Sequence, residues 1–138
     1  MINEIKENLP ISFKNCRINK ISSGASNKKY YRLNKNNQNA ILMDSSKEPQ
    51  QFEDFLKVHK IISKTNISIP KIYEINEKRK ILLLEDFGSL QFDKILNKFK
   101  LKDLLFIAVE SLIVIKKEIN FDYKYSLPNY NSIIFRSE

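Results

Sequence analysis

The chain contains few of the residues that punctuate or cross-link proteins: two glycines, four prolines and one cysteine among 138 residues. So little glycine and proline excludes collagen-like, linker-like and low-complexity sequences. A single thiol, Cys16, excludes a disulfide framework and a cysteine-based metal site, and such a residue beside a predicted strand is most often a small core residue. These absences favour one ordinary globular domain, which a chain of this length can fold without disulfides or metals.

Long apolar segments are also lacking. The longest one, residues 104–115, is interrupted by Glu110 and Ser111 and is too short to span a bilayer. The first nine residues include Glu4 and Glu7 and have no apolar core, so they do not resemble a signal peptide. We therefore expect a cytoplasmic protein that does not enter a membrane.

Arginine is scarce beside lysine, with four arginines against twenty lysines in a chain of net charge +8. A basic balance can indicate a nucleic-acid partner, but recognition of bases and phosphates favours arginine. The lysines are also scattered in short pairs, and the joint abundance of Ile, Asn and Lys is what an AT-rich genome produces at indifferent positions. The sequence therefore favours other functions over nucleic-acid binding.

What the sequence does contain is clear hydrophobic periodicity in its first half. Ile2, Ile5 and Leu9 lie at helical spacing before Pro10, which predicts a short first helix. Strands are predicted at residues 13–21, 28–33 and 40–43, with polar turns at residues 22–27 and 34–38 between them.

The second half repeats the alternation of helix and strand. Residues 49–64 keep a 3.6-residue apolar face through Phe52, Phe55 and Leu56, and Ser45 with Glu48 predicts a capping box before this helix. Strands are predicted at residues 71–75 and 80–85, and helices at residues 90–99 and 101–119. The last helix is apolar nearly all round, and a helix of that kind needs cover on most sides. Because 138 residues offer little to surround it, we expect it to expose an apolar patch in this chain alone. Strands and helices in this order predict an α+β fold.

Five segments, taken in order, resemble one family. They are Ser22-Ser23-Gly24-Ala25-Ser26-Asn27-Lys28-Lys29-Tyr30-Tyr31-Arg32-Leu33, Ile41-Leu42-Met43-Asp44, Ile69-Pro70-Lys71-Ile72-Tyr73, Leu82-Leu83-Leu84-Glu85-Asp86-Phe87-Gly88 and Leu127-Pro128-Asn129-Tyr130. Together they resemble the aminoglycoside phosphotransferase superfamily, and most of all its bacterial kinases that act on the anomeric hydroxyl of N-acetylmuramate and N-acetylglucosamine in cell-wall recycling. The resemblance runs from about residue 10 to the last residue.

This resemblance implies a fold and a function. The fold would be a protein-kinase-like small lobe, a five-stranded antiparallel sheet with one packed helix, in residues 1–86. Residues 87–138 would be the hinge and the first helices of an incomplete large lobe. The complete enzyme would use ATP and Mg²⁺ to phosphorylate a small-molecule hydroxyl, with an amino sugar as the implied acceptor.

The resemblance also assigns a phosphate-binding loop. Ser23, Gly24, Ala25 and Ser26 are small enough to leave backbone N–H groups free to cradle phosphates. An ordinary hairpin turn would account for the same four residues.

Cations follow that loop on the predicted second strand. Alternation along a strand sends Lys28 and Arg32 to one face and Lys29 to the other. Any of the three could contact phosphate, and solvated surface charge is the alternative for each of them.

The adenine would be held at the acidic hinge. In the family this task falls to main-chain groups, which here would be those of Glu85, Asp86 and Phe87. Ile41 and Leu84 could contact the base, although plain core packing is the better explanation of both.

The sequence departs from the kinase pattern in its third strand. Kinases carry a lysine there that reaches the phosphates and pairs with a glutamate of the next helix, but Ala40-Ile41-Leu42-Met43-Asp44 has none. This leaves the partner of Glu53 and the phosphate-binding cation unassigned.

The family's His-x-Asp catalytic loop is not matched either. The sole histidine, His59, precedes the hinge and is expected to be a packing or surface residue. Asp93, Asp103 and Asp122 are expected to be surface charges rather than metal ligands. We therefore assign no catalytic or metal-binding residue and expect no turnover from these 138 residues alone. A non-catalytic nucleotide-binding or interaction module, which could self-associate, is the alternative.

Overall fold

The computed structural model of the protein describes residues 6–7, 9–21, 27–90 and 101–119. A short 3₁₀ helix at Ile11–Phe13 leads into three strands, β1 (Arg17–Ile21), β2 (Lys29–Lys35) and β3 (Gln38–Asp44). Helix α1 (Pro49–Ile62), strands β4 (Ile72–Asn76) and β5 (Ile81–Glu85), and helix α2 (Leu101–Glu118) follow.

The five strands form one sheet in the order β1-β2-β3-β5-β4, and every neighbouring pair is antiparallel. β3 lies in the middle of the sheet, and α1 connects it to β4 at the edge of the sheet. The predicted α+β fold, with a five-stranded antiparallel sheet and one packed helix, is confirmed.

The turn between β2 and β3 is tighter than the predicted five-residue turn. Lys35 pairs with Gln38, which leaves Asn36 and Asn37 as a two-residue turn. Both asparagines have positive φ angles, 47° and 62°, a backbone conformation that asparagine tolerates well and that suits the twist of a hairpin. β2 and β3 therefore include Asn34, Lys35 and Gln38, which the polar composition had assigned to the turn.

The start of β1 also differs from the prediction. Phe13 belongs to the 3₁₀ helix, and β1 begins only at Arg17. The apolar alternation that predicts a strand from residue 13 therefore spans two elements. The predicted helices at residues 2–9 and 90–99 fall largely outside the described residues.

One face of the sheet packs against the segment that precedes β1. Its buried residues are Leu9, Phe13, Tyr31, Leu33, Ala40, Leu42 and Leu83. Cys16 packs at the margin of this cluster, where burial raises the pKa of its thiol. The cysteine has the small packing role expected of a lone thiol.

The opposite face packs against α1. Met43, Phe52, Leu82 and Leu84 are buried there, with Tyr30, Ile41, Phe55, Leu56 and Ile72 around them. Phe52 is fully buried, and it anchors the apolar stripe of the helix to β3 and β5. This face is the one that matters for the candidate site.

The start of α1 differs from the predicted capping box. Glu48 is the N-cap, and no described side chain caps the first N–H groups of the helix. Ser45 is buried, and it is the carbonyl of Ser45 that accepts a hydrogen bond from the Glu48 N–H at 2.9 Å. Pro49 at the first helical position has no N–H, which removes one donor that a cap would satisfy. The capping box is therefore wrong, although the helix itself is confirmed.

Helix α2 is largely exposed on its apolar side. Leu104, Ala108, Ser111 and Ile115 form a half-buried stripe along it. Its exposed apolar side chains are Leu101, Leu105, Phe106, Ile107, Val109, Leu112 and Ile113. The expected exposure of apolar side chains on this helix in the chain as given is thus confirmed. In the described part of the chain, no helix is long and apolar enough to cross a bilayer.

The burial of Phe52 gives a direct test of the core. Phe52→Ala should lower the free energy of unfolding by about 3–5 kcal/mol, because it removes a fully buried aromatic ring and leaves a cavity. Phe87→Ala is the matched control, since Phe87 is 60% exposed, and should change it by no more than about 0.5 kcal/mol. Urea unfolding followed by circular dichroism measures both. Equal costs would contradict the placement of α1.

The exposed side of α2 predicts self-association. Exposed apolar patches of this kind commonly form contacts between molecules, so the 138-residue chain should form dimers or larger species in sedimentation velocity. Leu105→Glu combined with Leu112→Glu should shift it toward monomer, because both side chains lie on that surface. Lys102→Gln with Lys116→Gln is the control, because it lowers the net charge by the same two units at exposed positions of α2. A wild-type chain that stays monomeric at high concentration would refute the prediction.

Candidate nucleotide-binding site

The predicted phosphate loop connects two neighbouring strands. β1 ends at Ile21, which pairs with Tyr30 of β2. Ser23, Gly24, Ala25 and Ser26 lie outside the described residues, so their prediction stands on the sequence. The antiparallel pairing of β1 with β2 nevertheless places both ends of the loop at one edge of the sheet.

Two predicted adenine contacts lie side by side. Ile41 of β3 pairs with Leu84 of β5, and both point to the α1 face of the sheet. Leu84 is buried and Ile41 is half-buried. The pair forms an apolar strip next to the hinge.

Arg32 continues this row across β2, because it pairs with Ile41. Alternation along β2 puts it on the same face as Tyr30, whose hydroxyl pKa is raised by burial. Arg32, Ile41 and Leu84 therefore lie in one row across β2, β3 and β5 on the α1 face of the sheet, and Leu84 lies next to the hinge.

The charge of Arg32 is directed to the hinge. Its Nε lies 2.7 Å from Oδ2 of Asp86, and its Nη2 donates to Oδ1 at 3.0 Å. The same Nη2 donates to the carbonyl of Gly88 at 2.7 Å. Arg32 is thus held in a two-pronged ion pair with a carboxylate whose side chain is only 4% exposed.

Asp86 also shapes the hinge backbone. Its Oδ1 accepts the N–H of Gly88 at 2.8 Å, and Gly88 has a φ of 87°, a conformation that favours glycine. The preceding residue, Glu85, forms two hydrogen bonds with the backbone of Lys71. The Glu85 N–H donates to the Lys71 carbonyl at 2.8 Å, and Oε2 of Glu85 accepts the Lys71 N–H at 3.0 Å. Phe87 remains largely exposed.

Sequence reasoning assigned the hinge residues roles through their main chain alone. The structure adds a side-chain role for Asp86, which links β2 to the hinge across 54 positions of sequence. No local pattern reveals such a pair. An acidic residue directly after a buried strand, with one arginine on a neighbouring strand, is the weak signal that could have suggested it.

Lys29 is the first residue of β2, and Lys28 directly precedes the strand that was predicted to include it. Both lysines are half-buried. Lys29 pairs in register with Asp44 of β3. Both lysines are therefore close to the end of the sheet from which the predicted phosphate loop leaves.

The third strand confirms the departure from the kinase pattern and shows what replaces it. Met43 faces α1 and is fully buried. Glu53 of α1 instead pairs with Lys80, whose Nζ lies 2.6 Å from Oε1. Sequence reasoning missed Lys80, because it counted this residue only as the first of the predicted strand at residues 80–85. In the structure Lys80 is the last residue of the turn before β5.

His59 has a packing role. Its Nε2 lies 2.8 Å from the carbonyl of Pro70, and its ring lies 6.1 Å from that of Phe55. Within the described ranges no three His, Cys, Asp or Glu side chains form a group that could hold a metal ion. Asp103 is exposed on α2, whereas Asp93 and Asp122 lie outside the described residues.

The Arg32–Asp86 pair should be measurable by a double-mutant cycle. Combining Arg32→Ala with Asp86→Ala should give a coupling of about 1–3 kcal/mol in urea unfolding, because the carboxylate is almost fully shielded from water. Asp54 and Lys57 form the control pair, exposed and 3.9 Å apart, with an expected coupling below about 0.5 kcal/mol. Couplings of equal size would contradict a special role for Asp86.

Known proteins resemble this chain in sequence. The chain is 26% identical over 117 residues to the N-acetylmuramate/N-acetylglucosamine kinase of Pseudomonas aeruginosa and 23% identical over 117 residues to the protein of that name from Pseudomonas putida. Each match covers 85% of this chain and 34% of the relative, so the chain spans about a third of the length of these relatives. The model of the phosphotransferase enzyme family matches residues 17–92, from β1 through the hinge. More than half of the chain is matched, and the protein therefore belongs to the phosphotransferase enzyme family.

Proposed function

We propose that these residues form the nucleotide-binding part of an ATP-dependent phosphotransferase whose acceptor is a hydroxyl of an amino sugar. The observation that carries the proposal is the family match over residues 17–92, which coincides with the five strands, α1 and the hinge. The acceptor follows from the names of the two relatives and from the resemblance to kinases of cell-wall recycling.

The α1 face at the hinge suits an adenine ring. Ile41 and Leu84 offer an apolar strip, and the main chain of Glu85, Asp86 and Phe87 lies at its end. The tie of Asp86 to Arg32 and Gly88 holds the hinge in place. An adenine placed there would cover Ile41 and meet main-chain donors and acceptors.

The opposite end of the same sheet suits the phosphates. The loop with Ser23, Gly24, Ala25 and Ser26 starts there, and Lys28 and Lys29 follow it. Loops of small residues bind phosphates through backbone N–H groups, and nearby lysines add charge.

ATP would bring Mg²⁺ to this site. The metal offsets the charge that develops between the phosphates during transfer. The described residues form no metal-binding group, so none of them is assigned to Mg²⁺, and the acceptor likewise has no residue assigned to it here.

The proposal predicts that the 138-residue chain binds ATP, as measured by isothermal titration calorimetry. Gly24→Val combined with Ala25→Val should weaken ATP binding about 10-fold or more, because branched side chains crowd the backbone N–H groups that meet phosphate. Binding of adenosine should change little, since it has no phosphate.

A control and two opposite outcomes complete this test. Glu77→Val with Lys78→Val introduces the same two β-branched side chains in the exposed turn between β4 and β5 and should leave ATP binding unchanged. A chain that binds neither ATP nor adenosine would contradict the proposed function. A loop variant that loses stability but binds ATP normally would identify residues 22–27 as an ordinary hairpin turn.

Turnover separates an enzyme from a binding module. With ATP, Mg²⁺ and N-acetylglucosamine or N-acetylmuramate, we expect no phosphorylated sugar from these 138 residues, because no His-x-Asp motif follows the hinge in them. Mass spectrometry of the sugar would detect a product. Its appearance would show that the catalytic residues lie within this sequence.

A further inference from the structure

Phosphoryl transfer depends on a cation that is fixed near the phosphates of the nucleotide. In kinases that cation is a lysine of the third strand, paired with a glutamate of the following helix. Here the residues of β3 on the face of the helix are Ile41 and Met43, and neither carries a charge. A phosphotransferase with this sheet must therefore obtain the cation elsewhere.

Arg32 is a poor source for that charge. Its guanidinium already donates to the Asp86 carboxylate and to the carbonyl of Gly88. Turning it toward a phosphate would leave Asp86, a nearly buried carboxylate, without its partner, and such a charge is costly to strand.

Lys80 has the required surroundings. Its Nζ lies 2.6 Å from Oε1 of Glu53 and 4.9 Å from the centre of the Phe52 ring. Glu53 accepts from one of the three N–H groups of the ammonium, and the side chain is 27% exposed. Donor capacity therefore remains for an anion that approaches from solvent.

The backbone of Lys80 is held as well. Its carbonyl accepts the Ser45 N–H at 3.0 Å, which ties it to the end of β3. Its φ of 55° completes the turn into β5. A lysine fixed by its main chain, an ion pair and an aromatic ring loses less freedom when it binds a ligand than a surface lysine would.

The position of Lys80 in the sheet is the decisive observation. It directly precedes Ile81, which pairs with Asp44, and Asp44 pairs with Lys29 at the start of β2. Lys80 thus lies at the end of the sheet where the loop of residues 22–28 emerges, opposite the hinge. Its contacts with Phe52 and Glu53 put its ammonium on the α1 face, the face proposed for the nucleotide.

We propose that Lys80, delivered from the start of β5 and held by Glu53, is the residue that binds the nucleotide phosphates in place of the missing lysine of the third strand. The proposal rests on the proposed function. Lys80 and Glu53 would then reproduce the lysine–glutamate pair of kinases with the lysine supplied by a different strand.

Binding of ATP, ADP and adenosine to the 138-residue chain tests this role by calorimetry. Lys80→Met should lower the affinity for ATP and ADP about 10- to 100-fold, because a charged hydrogen bond to phosphate is lost. Adenosine affinity should remain within about twofold of wild type, since adenosine lacks the phosphate that Lys80 contacts. Lys80→Arg keeps the positive charge and should retain much of the wild-type affinity for ATP. Glu53→Gln should weaken ATP binding less than Lys80→Met does.

Lys78→Met is the matched control, an exposed lysine of the same turn, and should bind ATP as wild type does. Unchanged ATP affinity in Lys80→Met, with wild type binding ATP, would overturn the role of Lys80 and leave the proposed function standing. Equal losses for ATP and adenosine would also overturn it, because they would show that Lys80 only holds α1 in place. Failure of the wild type to bind any adenine nucleotide would overturn both proposals.

Discussion

The structure depends on β3, the central strand whose two faces are both apolar. Ala40 and Leu42 complete the cluster on one side, whereas Ile41 and Met43 face α1 on the other. A slip of β3 by one residue against β2 and β5 would exchange Ala40 and Leu42 with Ile41 and Met43 between the two faces, so both clusters would have to repack. The observed register places the hinge at one end of the sheet and the predicted phosphate loop at the other.

Much of this fold could be predicted because its signals are local. The wholly apolar runs at β3 and β5 and the 3.6-residue stripe at Phe52, Phe55 and Leu56 each identify an element. The predictions were wrong where the same residue types are compatible with two different local structures. Ser45 with Glu48 has the composition of a capping box, yet Pro49 makes part of a cap unnecessary. Asn36 and Asn37 belong to a polar run, but only they form the turn.

The candidate site was less predictable because its key contacts join distant residues. Arg32 pairs with Asp86, and Lys80 pairs with Glu53, although the members of each pair lie far apart in the sequence. The charge of a residue does not by itself predict which distant residue it will pair with. Small residues and lysines after β1 did mark the phosphate loop as a candidate. Which cations pair within the protein, and which keep capacity for a ligand, becomes apparent only when the strands are aligned.

The two ion pairs on the α1 face differ in how far their carboxylates are exposed to water. This difference indicates which pair supports the fold and which could take part in ligand binding. At the hinge end, the Asp86 carboxylate is 4% exposed, so loss of Arg32 would leave a buried charge unpaired. At the loop end, the Glu53 side chain is 47% exposed, and water can solvate it if Lys80 shifts toward another anion. A pair of this exposed kind contributes only about 0–1 kcal/mol to stability. Its geometry is thus better explained by positioning of the lysine than by support of the fold, whereas Arg32 holds the hinge against which an adenine would lie.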